Sequence, residues 1–286
     1  MEGAVAENES GFSSEAVAEA LKRIDTSVPH PARRYNYWLG GKDNFQADRE
    51  SGDAIAAAFP GIRTAALENR YFLRRAVAYL AKEAGVRQFL DIGTGIPTAD
   101  NTHEVAQRIA PESRIVYVDN DPIVLAHARA LLTSTPEGAT AYIDADLREP
   151  EKILNHPDLL RTLDLSQPVG LMLIAVLHFV MDHEDAYGLV AGLLDALPSG
   201  SYVALSHATF DFMTPEHRRS SEAALATGRH GAFRGRSRDE VVRFFDGLEL
   251  VPPGVVLLSE WRADDEPQPR PPATEVAGYG AVARKP

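Results

Sequence analysis

Short apolar runs alternate with amphipathic stretches along most of the chain after residue 85. Runs bounded by Gly, Asp or Pro predict strands at residues 86–90, 115–118, 141–143, 169–177 and 202–206. The stretches between them favour helices, for example at 101–110, where Asn101 and Glu104 have the spacing of a capping box. Strands that alternate with helices, and that are apolar on both faces, indicate a parallel sheet covered on both sides.

The C-terminal part of the chain follows a different pattern. Two further strands are predicted at 255–261 and 276–283, and the acidic, Pro-rich stretch between them contains no helical period. Two strands without an intervening helix indicate an antiparallel hairpin at the sheet edge. The sequence therefore predicts a Rossmann-like, doubly wound α/β fold with a mostly parallel seven-stranded sheet and an antiparallel C-terminal hairpin.

The sequence before residue 86 predicts segments that are separate from the sheet domain. Residues 1–28 have the composition of a flexible tail, and residues 33–45 form a polar, aromatic and glycine-containing block that is too polar for a core helix. Residues 64–84 keep a helical period. We interpret 29–85 as an N-terminal helical lid and 86–286 as the Rossmann-like domain. Residues 210–236 interrupt the alternation and are interpreted as an inserted helical segment.

Composition narrows the possible functions. The 286 residues include no cysteine, which excludes disulfides, thiolate metal sites and cysteine nucleophiles. No apolar run reaches the roughly 18 residues of a membrane span, and residues 1–10 lack the order of a signal peptide, so we expect a cytoplasmic protein without a membrane partner. The formal charge of −12 disfavours a nucleic-acid partner. Basic pairs such as Arg33–Arg34 are interpreted as solvated faces, and no oligomeric state is predicted.

A glycine motif after the first strand carries the clearest chemical signal. It runs Asp91-Ile-Gly93-Thr-Gly95, and glycines let a ligand approach the backbone without a Cβ in the way. The Asp91 carboxylate would repel a pyrophosphate but attract an ammonium or sulfonium group. Thr98 stands where a dinucleotide-binding motif has its third glycine. Asp119 ends the second strand, where a carboxylate can accept both hydrogen bonds of a ribose diol.

These residues, followed by Asp144-Ala-Asp146-Leu147, resemble the first three motifs of class I S-adenosylmethionine-dependent methyltransferases. Residues 39–45, 68–70 and 101–105 also resemble a narrower bacterial family, methyltransferase family 19. The resemblance implies S-adenosylmethionine as cofactor, with the glycines at the methionine part, Asp119 at the ribose and Asp146 with Leu147 at the adenine. It implies these cofactor-binding residues: Asp91, Gly93, Gly95, Asp119, Asn120, Asp146, Leu147, Ala175 and, from the N-terminal block, Tyr37, Asn44, Asn69 and Arg70.

The predicted function is methyl transfer from S-adenosylmethionine to an unidentified small-molecule acceptor. No Asn-Pro-Pro-Tyr run follows the fourth strand, which argues against nucleobase or glutamine N-methylation. His178 and His207 are the candidate catalytic bases, because both are predicted at strand ends on the edge where open sheets bind ligands. No metal-ligand spacing is present. Two alternatives remain open: a non-catalytic S-adenosylmethionine-binding sensor, and a nicotinamide-dependent oxidoreductase on a similar sheet.

Overall fold

The structure, a computed structural model, describes residues 24–131, 133–225 and 227–286. The flexible tail predicted for residues 1–28 lies mostly outside these ranges. Within them the chain folds around one mixed sheet.

The five parallel strands of the sheet carry the order β3-β2-β1-β4-β5. Their bounds are β1 (Gln88–Ile92), β2 (Arg114–Asp119), β3 (Ala139–Asp144), β4 (Gly170–Ile174) and β5 (Tyr202–Ala208). At the β5 edge the sheet becomes antiparallel through β6 (Glu249–Leu250), β7 (Val256–Leu257) and β8 (Gly278–Arg284). The predicted Rossmann-like fold with a mostly parallel sheet and antiparallel C-terminal strands is confirmed.

The C-terminal strands differ in detail from the prediction. The described residues form eight strands rather than seven, and β6 and β7 each have two residues and pair with β8. The strand predicted at 255–261 is short because Arg75 donates hydrogen bonds to the carbonyls of Leu258 and Trp261, which takes them out of the ladder. The Trp261 ring is fully buried. Residues 258–261 are thus held by side-chain contacts rather than by strand pairing.

Helices cover both faces of the sheet. Their bounds are α1 (Pro31–Trp38), α2 (Gln46–Ala58), α3 (Ile62–Lys82), α4 (Thr102–Ile109), α5 (Pro122–Leu131), α6 (Pro150–Leu154), α7 (Pro157–Thr162), α8 (Ala186–Asp195), α9 (Pro215–Leu225), α10 (Arg238–Val242) and α11 (Ala273–Val276). Successive residues of β1 enter different cores: Phe89 packs with α3, and Leu90 packs with α7 and α8. The predicted capping box of α4 is present, with Asn101 N–H donating to Glu104 Oε2 at 2.8 Å.

The N-terminal block is more helical than predicted. Half of the polar stretch 33–45 lies in α1, and α2 follows it. The interpretation of Arg33–Arg34 as a solvated face is wrong, because the two residues are only 4% and 3% exposed. Arg33 is buried at low cost, since both oxygens of the Asp121 carboxylate accept hydrogen bonds from its guanidinium. Arg33 and Asp121 are 88 residues apart in the chain, so the local sequence pattern did not indicate their pairing.

Residues 210–236 contain α9 and reach back over the sheet edge. Arg234 N–H donates to the His178 carbonyl at 2.7 Å, which joins this segment to the turn after β4. In the part of the chain that the structure describes, no helix combines the length and the hydropathy that crossing a membrane requires.

Candidate active site

A cavity of about 500 Å³ lies at the carboxyl edge of the parallel strands. Ligand cavities typically have volumes of about 300–1,000 Å³. Among the predicted residues that line it are Asp91, Gly93, Gly95, Asp119, Asn120, Asp146, Leu147, Ala175, Asn69, Arg70, His178 and His207. The three carboxylates expected at one rim of the sheet therefore share one cavity.

The two glycines of the loop after β1 have different roles. Both have positive φ, +75° at Gly93 and +69° at Gly95, which favours glycine. A Cβ on Gly93 would come within 2.4 Å of Val176, so this position is required for packing. A Cβ on Gly95 would have Ala32 Cβ at 4.0 Å as its nearest neighbour. Gly95 therefore presents its backbone to open space inside the cavity.

Asp91 lies in β1, one residue before the strand ends, and is buried. Its side chain is 3% exposed and accepts a 2.6 Å hydrogen bond from Thr102 Oγ1. Burial raises its pKa to about 6, although the Thr102 hydrogen bond and the positive charge of Arg70 oppose the rise. Arg70 itself donates to the carbonyls of Ala99 and Asp100. Asp91 can thus change its ionisation near neutral pH when a cation approaches.

Asp119 and Asp146 hold the loops at the other two strand ends. Asp119 accepts backbone hydrogen bonds from Gly95 at 2.8 Å and Asp121 at 2.9 Å, and burial raises its pKa. Asp146 accepts from the Asn120 side chain at 2.8 Å and from the Arg148 backbone at 2.9 Å. A carboxylate has about four lone-pair sites, so Asp119 keeps capacity for a ligand's donors, whereas Asp146 also accepts from the Arg148 guanidinium, with Nη1 3.1 Å from Oδ1.

A polar chain crosses the cavity wall between α1 and β5. The Asn69 amide donates to the Tyr35 hydroxyl at 2.9 Å and accepts from Ser206 Oγ at 2.5 Å. Ser206 Oγ in turn accepts from the backbone N–H of Ala175 at 2.9 Å. Ala175 has φ of +56°, a conformation that costs a non-glycine residue energy and is held by its surroundings. Asn69 therefore ties α1 to the turn after β4.

The two candidate bases have different environments. His207 is 1% exposed; its Nε2 lies 2.9 Å from the Arg236 guanidinium, and its Nδ1 lies 2.8 Å from the Ala208 carbonyl. Because an arginine only donates, Nε2 must be the acceptor, so the lone pair that a base would use is occupied. Burial lowers the pKa of His207 to about 3, and the Arg236 charge adds to the effect. The geometry therefore contradicts the hypothesis that His207 is a base.

His178 follows β4 in a short 3₁₀ turn and is 7% exposed. Its ring packs against Phe179 and Phe233, and Nδ1 has no hydrogen-bond partner among the described residues. Burial, with smaller contributions from His207 and Arg236, holds its pKa well below the usual value. His178 is therefore a neutral imidazole on the cavity wall.

Two residues predicted from the N-terminal block do not reach the cavity. The Tyr37 hydroxyl donates to Asp53, and the Asn44 amide donates to Asn36 and to the Gly41 carbonyl. Both brace the block, so their prediction as cofactor contacts is not supported. The side chains of α1 that line the cavity are instead Pro31, Ala32, Arg34, Tyr35 and Trp38. These residues are three or four positions apart and therefore share one face of the helix. The sequence contains this signal, but it was not recognised because residues 33–45 were interpreted as non-helical.

The start of α1 is anchored beside β2. Asp121 accepts from Arg33 Nε at 2.9 Å and Nη2 at 3.1 Å, and His30 Nδ1 lies 3.1 Å from the same carboxylate. Burial alone would raise the pKa of Asp121, but the contacts with His30 and Arg33 outweigh it and lower the pKa. The local sequence around Asp121 gives no sign of this anchor, because Arg33 is 88 residues away in the chain.

Comparisons with known proteins identify the family. A family model described as S-adenosyl methyltransferase matches residues 17–286. A DUF574 family protein from Streptomyces avermitilis is 51% identical, with a TM-score of 0.86 over 92% of this chain and 100% of its own. A candidate methyltransferase from Thermobifida fusca is 43% identical, with a TM-score of 0.82 over 91% of this chain and 96% of its own. No curated protein matches the chain. The chain therefore belongs to the S-adenosyl methyltransferase family, and its cofactor is S-adenosylmethionine.

Proposed function

We propose that the protein transfers the methyl group of S-adenosylmethionine to a small molecule bound in the same cavity. The observation that carries the proposal is the extent of the cavity. It begins at the glycine loop and the three carboxylates, passes Ala175 and His178, and continues between α2 and residues 210–233. A sensor would need room for the cofactor alone, whereas this cavity continues beyond the predicted cofactor residues.

The described residues fit the cofactor. The open space at Gly95 leaves its backbone accessible to a ligand, and the carboxylates are suited to a ligand with hydroxyl donors and positive charge. We propose that Asp119 accepts from the ribose, Asp146 with Leu147 borders the adenine, and Asp91 faces the cationic end. S-adenosylmethionine supplies the reactive sulfonium methyl when bound.

The chain's own contribution is to align the acceptor and exclude water. Holding two reactants in the right geometry accounts for much of the acceleration of a displacement reaction. We propose that α1 and the turn after β4, whose residues line the cavity, do this. Arg236 donates to the carbonyls of Leu177 and Val180 in that turn, so Arg236 and His207 are positioning residues. His178 is unprotonated at neutral pH and could accept a proton that the acceptor releases.

Two broader predictions stay with this proposal. We propose that residues 29–85 cover the cofactor, with α3 attaching them to the sheet through buried residues such as Phe72 and Leu80. The acidic, cysteine-free composition is consistent with a cytoplasmic protein that acts on small molecules rather than on nucleic acid. Membership of the S-adenosyl methyltransferase family removes the nicotinamide-dependent alternative.

The test is transfer of a labelled methyl group from S-adenosylmethionine into a bacterial extract separated by size. We expect protein-dependent label in the small-molecule fraction. Label confined to macromolecules, or binding of the cofactor with no transfer, would contradict the proposal.

A matched pair of variants tests the site itself. Asp119→Ala should weaken cofactor binding by about 1–3 kcal/mol, because charge-assisted hydrogen bonds are lost. Asp265→Ala removes an exposed carboxylate that does not line the cavity and should leave the affinity unchanged. Calorimetric titration with S-adenosylmethionine measures both. Equal affinities in the two variants would show that the ribose assignment is wrong.

A further inference from the structure

One buried arginine in the cavity lacks the partners that its burial normally requires. Arg34 is 3% exposed and lines the cavity. Within the described part of the chain, its Nε has no hydrogen-bond partner, and its one side-chain hydrogen bond is a long one, from Nη1 to Ser51 Oγ at 3.5 Å. Among the described residues, no carboxylate lies within 4.0 Å of its guanidinium.

The other buried arginines among the described residues have close acceptors for their terminal nitrogens. Arg33 meets the Asp121 carboxylate through two nitrogens, and Arg236, although its Nε also lacks a partner, donates through Nη1 and Nη2 to two carbonyls and to His207. Burial of a charge is costly unless it is paired and hydrogen-bonded, so the state of Arg34 is an exception that needs a cause.

The nearest acid does not supply a partner. Asp48 is fully buried and acts on Arg34 only through space, since its two oxygens accept hydrogen bonds from the backbones of His30 and Phe45. Burial lowers the pKa of Arg34 to about 10, and Asp48 offsets only part of this shift. The guanidinium is therefore charged and short of acceptors.

The hydrogen-bonded neighbours of Arg34 lie in α2 and, through Ser51, in the inserted segment. Arg34 neighbours Ser51 of α2, and Ser51 Oγ lies 2.8 Å from His230 Nδ1 in the inserted segment. The three carboxylates proposed for the cofactor lie at or just after the ends of β1, β2 and β3. The residues that line the same cavity include many apolar ones, among them Ile55, Phe59, Met213, Leu225 and Phe233.

We propose that Arg34 binds an anionic group, a carboxylate, on an otherwise apolar methyl acceptor. A planar guanidinium matches a carboxylate through two parallel hydrogen bonds, and such pairs are strongest where water is excluded. The bound carboxylate would supply the acceptors that Arg34 lacks, while the apolar walls would hold the rest of the molecule. This inference rests on the proposed function, because it names the class of acceptor for the same cavity.

The test uses protein saturated with S-adenosylhomocysteine and three named probes: octanoate, phenylacetate and indole-3-acetate, each paired with its neutral amide. Calorimetric titration should show at least one carboxylate binding ten times more tightly than its amide. Arg34→Gln should abolish that preference. Arg34→Lys keeps the charge but loses the planar group that makes two parallel hydrogen bonds, so it should retain part of the preference. Arg63→Gln removes an exposed arginine outside the cavity and should leave the preference intact.

A second measurement works on the unaltered protein. The positive charge of Arg34 contributes to the lowered pKa of His230, after burial. A carboxylate bound to Arg34 would neutralise that charge, so the His230 pKa followed by NMR should rise with the carboxylate and stay constant with the amide.

The outcomes separate the two proposals. If S-adenosylhomocysteine does not bind, the proposed function itself fails. If it binds but no carboxylate is preferred, or if Arg34→Gln keeps the preference, the acceptor assignment alone is overturned. A His230 pKa that does not move when a carboxylate binds also overturns it.

Discussion

At the scale of single residues, the site depends on how deeply its polar groups are buried. Asp91 belongs to a motif that is visible in the sequence, but its pKa of about 6 results from burial by residues far along the chain. A group with this pKa responds to a cationic ligand, because the ligand favours the ionised form.

The affinity for S-adenosylmethionine should therefore fall at low pH. Above about pH 6 the Asp91 carboxylate is ionised and attracts the cofactor's cationic end; below it, binding must first remove a proton. We expect about tenfold weaker binding for each pH unit below the pKa. Calorimetry at pH 5.0 and 7.5 measures the difference, and Asp91→Asn should flatten it. A wild-type affinity that is constant over this range would contradict the assignment.

Substitution of the two loop glycines should affect cofactor binding and the free energy of unfolding to different extents. Gly95→Ala has a cost of about 1–2 kcal/mol for its positive φ, and its methyl group would enter the open space of the cavity and weaken cofactor binding. Gly93→Ala adds overpacking against Val176 and should cost about 2–5 kcal/mol in total. Urea unfolding measures the free energy of unfolding of both. Equal losses would show that the glycines have the same role.

At the scale of secondary structure elements, α1 lines the cavity and is attached at two points of the sheet edge. The helix is about 12 Å long. Arg33 holds its first turn to Asp121 after β2, and Tyr35 is joined through Asn69 to Ser206 of β5. Side chains from one short helix thus connect strands on both sides of β1.

Asp121→Asn should loosen this attachment. It leaves the buried Arg33 guanidinium without its charged partner, and loss of one member of a buried pair costs about 3–5 kcal/mol. Because the Asp121 pKa is lowered in the folded state, its contribution is complete above the unfolded-state value of 3.8 and is lost as the pH falls through the folded-state pKa. Urea unfolding at pH 7 and hydrogen exchange in α1 measure the effect.

The control removes a surface ion pair. Glu249→Gln breaks an exposed contact with Arg284 at 3.0 Å and should cost less than about 1 kcal/mol. If Asp121→Asn is no more destabilising than this control, the anchor does not stabilise α1.

At the scale of the whole molecule, charge is distributed unevenly around the cavity. Three carboxylates lie where the cofactor is proposed to bind, and Arg34 with His230 lies on the side of the inserted segment. A dinucleotide would bring its pyrophosphate to the acidic side, whereas S-adenosylhomocysteine carries no phosphate. We therefore expect the intact protein to bind S-adenosylhomocysteine in preference to a dinucleotide.

Thermal unfolding tests that preference. At a hundredfold excess over its Kd, S-adenosylhomocysteine should stabilise the folded state by about 2.7 kcal/mol. For a chain of this size the melting temperature should rise by roughly 5 °C or more. NAD at the same concentration should produce no shift. Stabilisation by NAD alone would contradict the assigned cofactor side of the cavity.

The chain's local patterns were sufficient to predict its fold class and the meeting of three carboxylates at one edge of the sheet. Apolar runs separated by helical stretches indicate a parallel sheet, and parallel strands bring their carboxyl ends to one edge. Asp91, Asp119 and Asp146 therefore meet in one cavity because each lies within two residues of the carboxyl end of a strand. No long-range contact was needed to predict this.

Tertiary structure alone decided the rest, because those features depend on partners distant in sequence. Whether His207 can act as a base depends on Arg236, and whether Arg33 is satisfied depends on Asp121. The phase of α1 directs Arg34 into the cavity and Tyr37 away from it, and that phase follows from packing against α2, α3 and the strand ends. A sequence specifies local periodicity directly, but the burial of a charge and the occupancy of a lone pair follow only from which segments meet.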